Sequence, residues 1–154
     1  MAIKINTEKR IFTLETKHTM YQMQADTYGV LRHLWYGAKT GCDMSYLQDY
    51  PDVGFSGNPH DAGNDRTYSL DTLPLEYAGA GIGDFRVPAV EAVHADGSCA
   101  LDLRYYSHTV KQGKYAIAGL PALYAGEDEA ETLEVVLRDT ASAVEVTLKY
   151  GVLP

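Results

Sequence analysis

The sequence has few of the features that mark membrane, secreted or metal-binding proteins. Its 154 residues include two cysteines, Cys42 and Cys99, without the short paired spacing of zinc or redox sites. One disulfide between them stays open as an interpretation, but two free thiols in a reducing cytoplasm are expected. The first ten residues lack the apolar centre of a signal peptide, and no later run is long enough to span a membrane. These absences predict a soluble cytoplasmic protein without a membrane partner.

Positive charge is also scarce, since 13 Lys and Arg stand against 21 Asp and Glu and give a formal net charge of −8. A nucleic-acid partner is therefore not expected, because no basic patch is present to hold phosphates. The histidines are scattered without metal-ligand spacing. The glycine run Gly79–Gly83 lacks the Lys-Ser/Thr sequence that completes a phosphate loop. No metal or cofactor is expected.

Helical periodicity is absent, whereas alternation of apolar and polar residues recurs along the chain. The clearest alternating segment places Val144, Val146, Leu148 and Tyr150 on one inward face. Short gaps between such segments favour antiparallel pairing, so the sequence predicts an all-β protein with an antiparallel β-sandwich. The predicted strands cover residues 10–16, 19–24, 29–37, 89–94, 100–108, 132–138 and 142–150.

The stretch from Phe55 to Pro88 differs from the rest because glycine and proline are frequent in it. Both residues oppose a helix interior. It also contains apolar groups that are able to pack, so a disordered loop is not favoured. We predict a long ordered loop, and ordered loops of this length are often functional. The apolar groups are Tyr68, Leu70, Leu73, Leu75, Tyr77 and Phe85.

Carboxylates are frequent in and beside this loop, and two interpretations of them remain open. A pair of them can serve as the acid and base of glycoside hydrolysis. Alternatively, they bind loop amides and pair with Arg66 or Arg86, as loop aspartates often do. The second interpretation is favoured for any single one. The carboxylates belong to Asp52, Asp65, Asp71, Glu76 and Asp84.

Several motifs in order resemble the N-terminal domain of bacterial α-galactosidases of glycoside hydrolase family 36. The strongest are Ser69–Tyr77 (SLDTLPLEY) and Gly83–Ala89 (GDFRVPA), followed by Asp102–Tyr105 (DLRY) and Gly119–Ala122 (GLPA). Further matches extend over nearly the whole chain. They include Tyr21, His33, Tyr36-Gly37, Phe55-Ser56, Asn58-Pro59, Asp96–Ser98, Ser107-His108, Gly113-Lys114 and Glu129–Glu134.

The resemblance implies that residues 1–154 form the first part of a β-supersandwich that precedes a catalytic (β/α)8 barrel. It places the nucleophile and the acid/base, both aspartates, in the barrel, so this chain contains neither and is expected to be inactive alone. The expected substrates of the parent enzyme are terminal α-galactosides of the melibiose and raffinose type. Because the chain stops directly after its best strand, we expect the natural protein to continue beyond Pro154.

The resemblance also implies a homo-oligomer, a tetramer in the family, in which a loop of one subunit reaches the sugar site of another. By position, Asp52 and Arg66 match the residues supplied in this way. The chemistry agrees, because a carboxylate accepts sugar hydroxyls and a guanidinium offers a rigid fork of donors. Two alternatives stay open: a stand-alone carbohydrate-binding sandwich, and a purely structural domain in which Asp52 and Arg66 only tie the loop.

Overall fold

The computed structural model describes residues 2–48, 50–52 and 58–153. Seven strands and two short 3-10 turns, Ser45–Leu47 and His60–Ala62, are present in this part of the chain. None of these residues forms a helix with the length and apolar content that a membrane crossing requires. The strands are β1 Ile3–Asn6, β2 Ile11–Glu15, β3 Thr19–Ala25, β4 Leu31–Ala38, β5 Arg104–Gln112, β6 Glu131–Arg138 and β7 Glu145–Val152.

The strands form two antiparallel sheets, one in the order β1-β2-β3-β4 and one in the order β5-β6-β7. Their facing sides share one hydrophobic core, called here the sandwich core. The ring of Phe12 in the first sheet lies 5.0 Å from the ring of His108 in the second. The all-β sandwich is therefore confirmed. The buried members of the sandwich core are Ala2, Ile3, Phe12, Leu14, Met23, Ala25, Leu31, Leu101, Leu103, Leu133, Val135, Leu137 and Val152.

A bulge in the first sheet interrupts the alternation of side chains along β4. Gln22 pairs with Trp35 and Met23 pairs with His33, so Leu34 has no partner in the register. The extra residue bends the strand and breaks the simple alternation. Leu31 and Leu34 are both buried, although uninterrupted alternation would place them on opposite faces of the strand.

Two predicted strand segments are wrong in part. Residues 89–94 form no strand, and the predicted strand 100–108 begins only at Arg104. Leu101 and Leu103 are nevertheless buried, although they precede the strand. Asp96 and Gly97 lie in a turn in which the His94 carbonyl accepts from the Gly97 N–H at 2.9 Å. β1, in contrast, was not predicted.

The long connection, residues 39–103, has an apolar cluster of its own, called here the loop cluster. This confirms an ordered loop over its described residues, although Phe85 is 84% exposed and was wrongly expected to pack. Gly54, Phe55, Ser56 and Gly57 lie outside the described residues. The buried members of the loop cluster are Val30, Ala62, Tyr68, Leu70 and Leu73, and Tyr28, Tyr50, Leu75 and Ile82 pack against them.

One carboxylate joins the loop to both sheets. Glu76 accepts hydrogen bonds from the hydroxyl of Tyr21 on β3 and from that of Tyr150 on β7, at 2.6 and 2.7 Å. His33 Nδ1 lies 3.6 Å from the same carboxylate. The side chain of Glu76 is only 8% exposed, so these contacts hold the long connection against the sandwich.

The two valines Val135 and Val146 allow a matched test of this core. Val135 is fully buried on β6, whereas Val146 on β7 is half-buried beside the same core. We expect Val135→Ala to lower the free energy of unfolding by about 1.5–3 kcal/mol, the value of a buried valine side chain. Val146→Ala should cost clearly less. Urea unfolding of the chain measures both, and equal losses would show that β7 is covered as completely as β6.

Candidate functional site

The structure brings the two predicted site residues into contact. Arg66 Nε lies 3.1 Å from Asp52 Oδ1, and the two side chains are 61% and 53% exposed. The distance between the two side chains could not be predicted from the sequence, because residues 53–65 separate them. The contact is called here the Asp52–Arg66 pair. It lies on the surface of the long connection.

Each member of the pair lies two residues from a tyrosine of the loop cluster. Tyr50 precedes Asp52 and packs against the cluster, while Tyr68 follows Arg66 and is buried in it. The backbone of both residues is therefore attached to the same small core. The side chains point away from it to the surface. A site at a loop surface that rests on a packed base is typical of binding residues.

The turn around Arg66 is closed by local hydrogen bonds. Asp65 Oδ1 accepts from the backbone N–H of Thr67 at 3.0 Å and from its hydroxyl at 2.6 Å. These bonds hold the pKa of Asp65 below its ordinary value. Asn58 Nδ2 also donates to the Asp65 carbonyl oxygen at 2.5 Å. The turn is thus constrained on both sides of the guanidinium-bearing residue.

Arg86 holds the segment that follows this turn. Its Nη2 atom donates to the carbonyl oxygens of Leu70 and Leu73 at 2.9 and 2.7 Å. Its Nε atom donates to Asp84 Oδ1 at 2.8 Å, and this bond lowers the pKa of the Asp84 carboxyl. Arg86 therefore has a structural role. This agrees with the interpretation in which the loop carboxylates pair with Arg66 or Arg86.

The other loop carboxylates also have structural contacts. Asp71 accepts from the Ser69 hydroxyl at 2.5 Å, and Glu76 accepts from two tyrosines. Asp65 and Asp84 bind their own turns. These contacts favour the structural interpretation over an acid and base for glycoside hydrolysis. Among the described residues, no group of three His, Cys, Asp or Glu side chains is arranged to hold a metal ion.

Sequence reasoning missed Asp26, which lies just after β3 and is 6% exposed. Its Oδ2 atom accepts from the Tyr68 hydroxyl at 2.5 Å. The segment Asp26-Thr-Tyr-Gly29 has the composition of a turn, and this composition was the only indication that Asp26 has a structural role. Nothing in the sequence linked this turn to Tyr68.

The chemistry of the Asp52–Arg66 pair suits recognition of a polar ligand. A guanidinium only donates hydrogen bonds and a carboxylate accepts them, so together they match a molecule rich in hydroxyls. A guanidinium has no hydrogen-bond acceptor, so the Arg66 side chain does not suit the role of a general base. The arrangement therefore supports binding rather than acid–base catalysis.

The sequence matches a family model described as the glycosyl hydrolase family 36 N-terminal domain, over residues 29–154. This chain belongs to that family. It is 54% identical over 153 residues to the bifunctional alpha-galactosidase/sucrose kinase AgaSK of Mediterraneibacter gnavus, and this match covers 99% of the chain and 16% of that protein.

Solved structures agree with this family 36 assignment. The galactosidase domain of AgaSK superposes with a TM-score of 0.95 at 53% identity, over 99% of this chain and 21% of that one. AgaA from Geobacillus stearothermophilus, in complex with raffinose, gives a TM-score of 0.86 at 40% identity, over 93% and 20%. This family 36 domain thus spans about a fifth of the length of the proteins it matches.

The stability of the family 36 domain tests whether the Asp52–Arg66 pair only holds the loop in place. Exposed ion pairs contribute roughly 0.2–1 kcal/mol, so Arg66→Ala should change the free energy of unfolding by no more than that. Arg86→Ala is the matched control, and the loss of its charged hydrogen bonds should cost about 1.5–3 kcal/mol. Urea unfolding of both variants checks this order. A larger loss for Arg66→Ala would instead show that the pair ties the loop.

Proposed function

We propose that the parent polypeptide is an α-galactosidase that removes terminal α-linked galactose from oligosaccharides of the melibiose and raffinose type. The identity of 54% to AgaSK over nearly the whole chain supports this activity. The raffinose complex of AgaA supports the substrate class. In this proposal residues 1–154 are a non-catalytic N-terminal part, and the catalytic aspartates lie in a barrel outside this chain.

We further propose that the chain acts in a homo-oligomer and completes the sugar pocket of a neighbouring subunit. The observation that supports this role is the Asp52–Arg66 pair, which is more than half exposed and attached to its own small core. An exposed ion pair is expected to contribute little to stability, so its side chains are available to bind a ligand. The loop then presents a preformed polar surface to the neighbour's sugar.

The contact between Asp52 and Arg66 suits this role in two ways. The ion pair restrains the long Arg66 side chain before the sugar arrives, which reduces the entropy lost on binding. Arg66 contacts Asp52 through Nε, and its guanidinium also carries N–H groups on the two Nη atoms. In the proposed complex these groups donate to galactose hydroxyls while Asp52 accepts from one.

The alternative of a stand-alone carbohydrate-binding sandwich depends on an exposed aromatic platform. Trp35, the single tryptophan, is half-buried, and its Nε1 atom donates to the Ala38 carbonyl oxygen at 3.3 Å. Its ring lies so close to Gly37 that a Cβ there would be 2.9 Å from the indole. This packing does not favour Trp35 as a sugar platform.

The proposed location of the protein is the cytoplasm. Cys42 and Cys99 are both unpaired and exposed. Exposed free thiols suit a reducing compartment.

Steady-state kinetics of the full-length enzyme test the binding role of Arg66. If Arg66 touches the sugar, Arg66→Ala should lose a charged hydrogen bond and about 1.5–3 kcal/mol in kcat/KM, which is roughly a ten- to 150-fold decrease. Light scattering confirms that the oligomer is intact. Arg138→Ala is the matched control, because Arg138 forms a surface ion pair with Glu145 on the second sheet.

Three results would contradict the proposed role. Wild-type kcat/KM for Arg66→Ala in an intact oligomer would remove Arg66 from the sugar site. Dissociation of the oligomer in Arg66→Ala alone would assign the pair to assembly and favour the purely structural alternative. A decrease of equal size in Arg138→Ala would show that any lost surface ion pair has this effect.

A further inference from the structure

We propose that the hydrogen bond from Tyr68 to Asp26 is the contact that positions Arg66 for its ligand. Tyr68 follows Arg66 by two residues, and its hydroxyl lies 2.5 Å from Asp26 Oδ2. This inference rests on the proposed role of Arg66 in sugar binding. Tyr68 and Asp26 are positioning residues that touch no sugar themselves.

Asp26 offers a fixed acceptor for this bond. Its other oxygen, Oδ1, accepts from the backbone N–H groups of Tyr28 and Val30, both at 2.9 Å. Arg32 Nε lies 3.4 Å from Oδ2 of the same carboxylate. With these partners the carboxylate has one orientation, and Oδ2 faces the Tyr68 hydroxyl. The bond therefore fixes the direction of the Tyr68 side chain as well as its burial.

The turn that carries Asp26 is itself held by the second sheet. The Gly29 carbonyl accepts from the Tyr105 N–H at 2.7 Å. Arg104 Nη1 donates to the Tyr28 carbonyl oxygen at 3.1 Å, and its Nε donates to Asp102 at 2.5 Å. Gly29 has a φ of +78°, a conformation that favours glycine. A continuous series of contacts thus leads from β5 through Asp26 and Tyr68 to Arg66.

Packing alone does not provide this directional constraint. The Tyr68 ring is 8% exposed and packs edge-on against Tyr28, with 4.8 Å between the ring centroids. A phenylalanine ring fits the same space, but it has no hydroxyl to meet Asp26. A buried hydroxyl without a partner is costly, so the ring keeps the one position in which its bond to Asp26 forms. This position in turn sets the backbone of the Arg66 turn.

A double-mutant cycle in the full-length enzyme tests the inference. Tyr68→Phe should lower kcat/KM roughly two- to ten-fold, the range of one hydrogen bond, with the same split between kcat and KM as Arg66→Ala. In an Arg66→Ala background the Tyr68→Phe change should cause no further decrease. Thr132→Val is the control, because it removes a buried hydroxyl on β6 that donates to the Gly113 carbonyl oxygen at 2.7 Å and lies outside this series of contacts. It should leave kcat/KM unchanged.

Hydrogen exchange of the same proteins gives a readout that does not depend on the sugar. Tyr68→Phe should speed amide exchange in a peptide covering residues 64–70 and leave β6 unchanged, whereas Thr132→Val should not affect the 64–70 peptide. Unchanged exchange there, or kcat/KM losses that multiply in the double variant, would overturn the positioning role. Wild-type kcat/KM for Arg66→Ala alone would instead overturn the proposed function, and the exchange result would still decide the positioning.

Discussion

The long connection between β4 and β5 has a defined shape because it carries its own apolar cluster. Residues 39–103 contain no strand in their described part, so sheet hydrogen bonds do not order them. Tyr68, Leu70 and Leu73 are buried there instead, against Val30, which directly precedes β4. Burial of this surface offsets the entropy lost when the loop is ordered. Everything proposed for Asp52 and Arg66 depends on this small core.

Polar groups complete the attachment of the loop. Glu76 joins the loop to β3 and β7 through Tyr21 and Tyr150, and Asp26 joins it to the β3–β4 turn through Tyr68. Each of these carboxylates is nearly buried and accepts several hydrogen bonds, as buried polar groups must. The described part of the loop is therefore held against the two sheets by hydrogen bonds as well as by its apolar cluster. Such a base allows a surface pair to meet a partner in one fixed geometry.

The sequence predicted the fold where alternation was simple. β6 and β7 follow an inside–outside pattern, and their positions were predicted to within a few residues. β1 was missed because Ile3–Asn6 has four residues and too little pattern to detect. Residues 89–94 alternate like a strand, but their backbone makes one isolated bridge, between Val90 and Gly79, instead of joining a sheet. Whether such a segment joins a sheet depends on tertiary packing, which the alternation of residues does not encode.

The candidate site was only partly predictable. Family resemblance supplied Asp52 and Arg66, but their contact depends on how the long connection folds back on itself. The bond between Asp26 and Tyr68 joins residues 42 positions apart and left no local signal. Local turn chemistry was predictable in kind, since Asp65, Asp84 and Asp96 each bind a backbone amide two residues further on.

Whether Arg66 of one subunit serves the sugar site of another can be tested by mixing subunits. Full-length subunits with Arg66→Ala and an intact barrel are co-expressed with subunits that keep Arg66 but lack the nucleophilic aspartate of the barrel. Purification through two different tags isolates the mixed oligomers. If Arg66 acts across the subunit interface, these oligomers should hydrolyse an α-galactoside faster than either parent oligomer, because intact loops then meet intact barrels. Activity that stays at the Arg66→Ala level would contradict it.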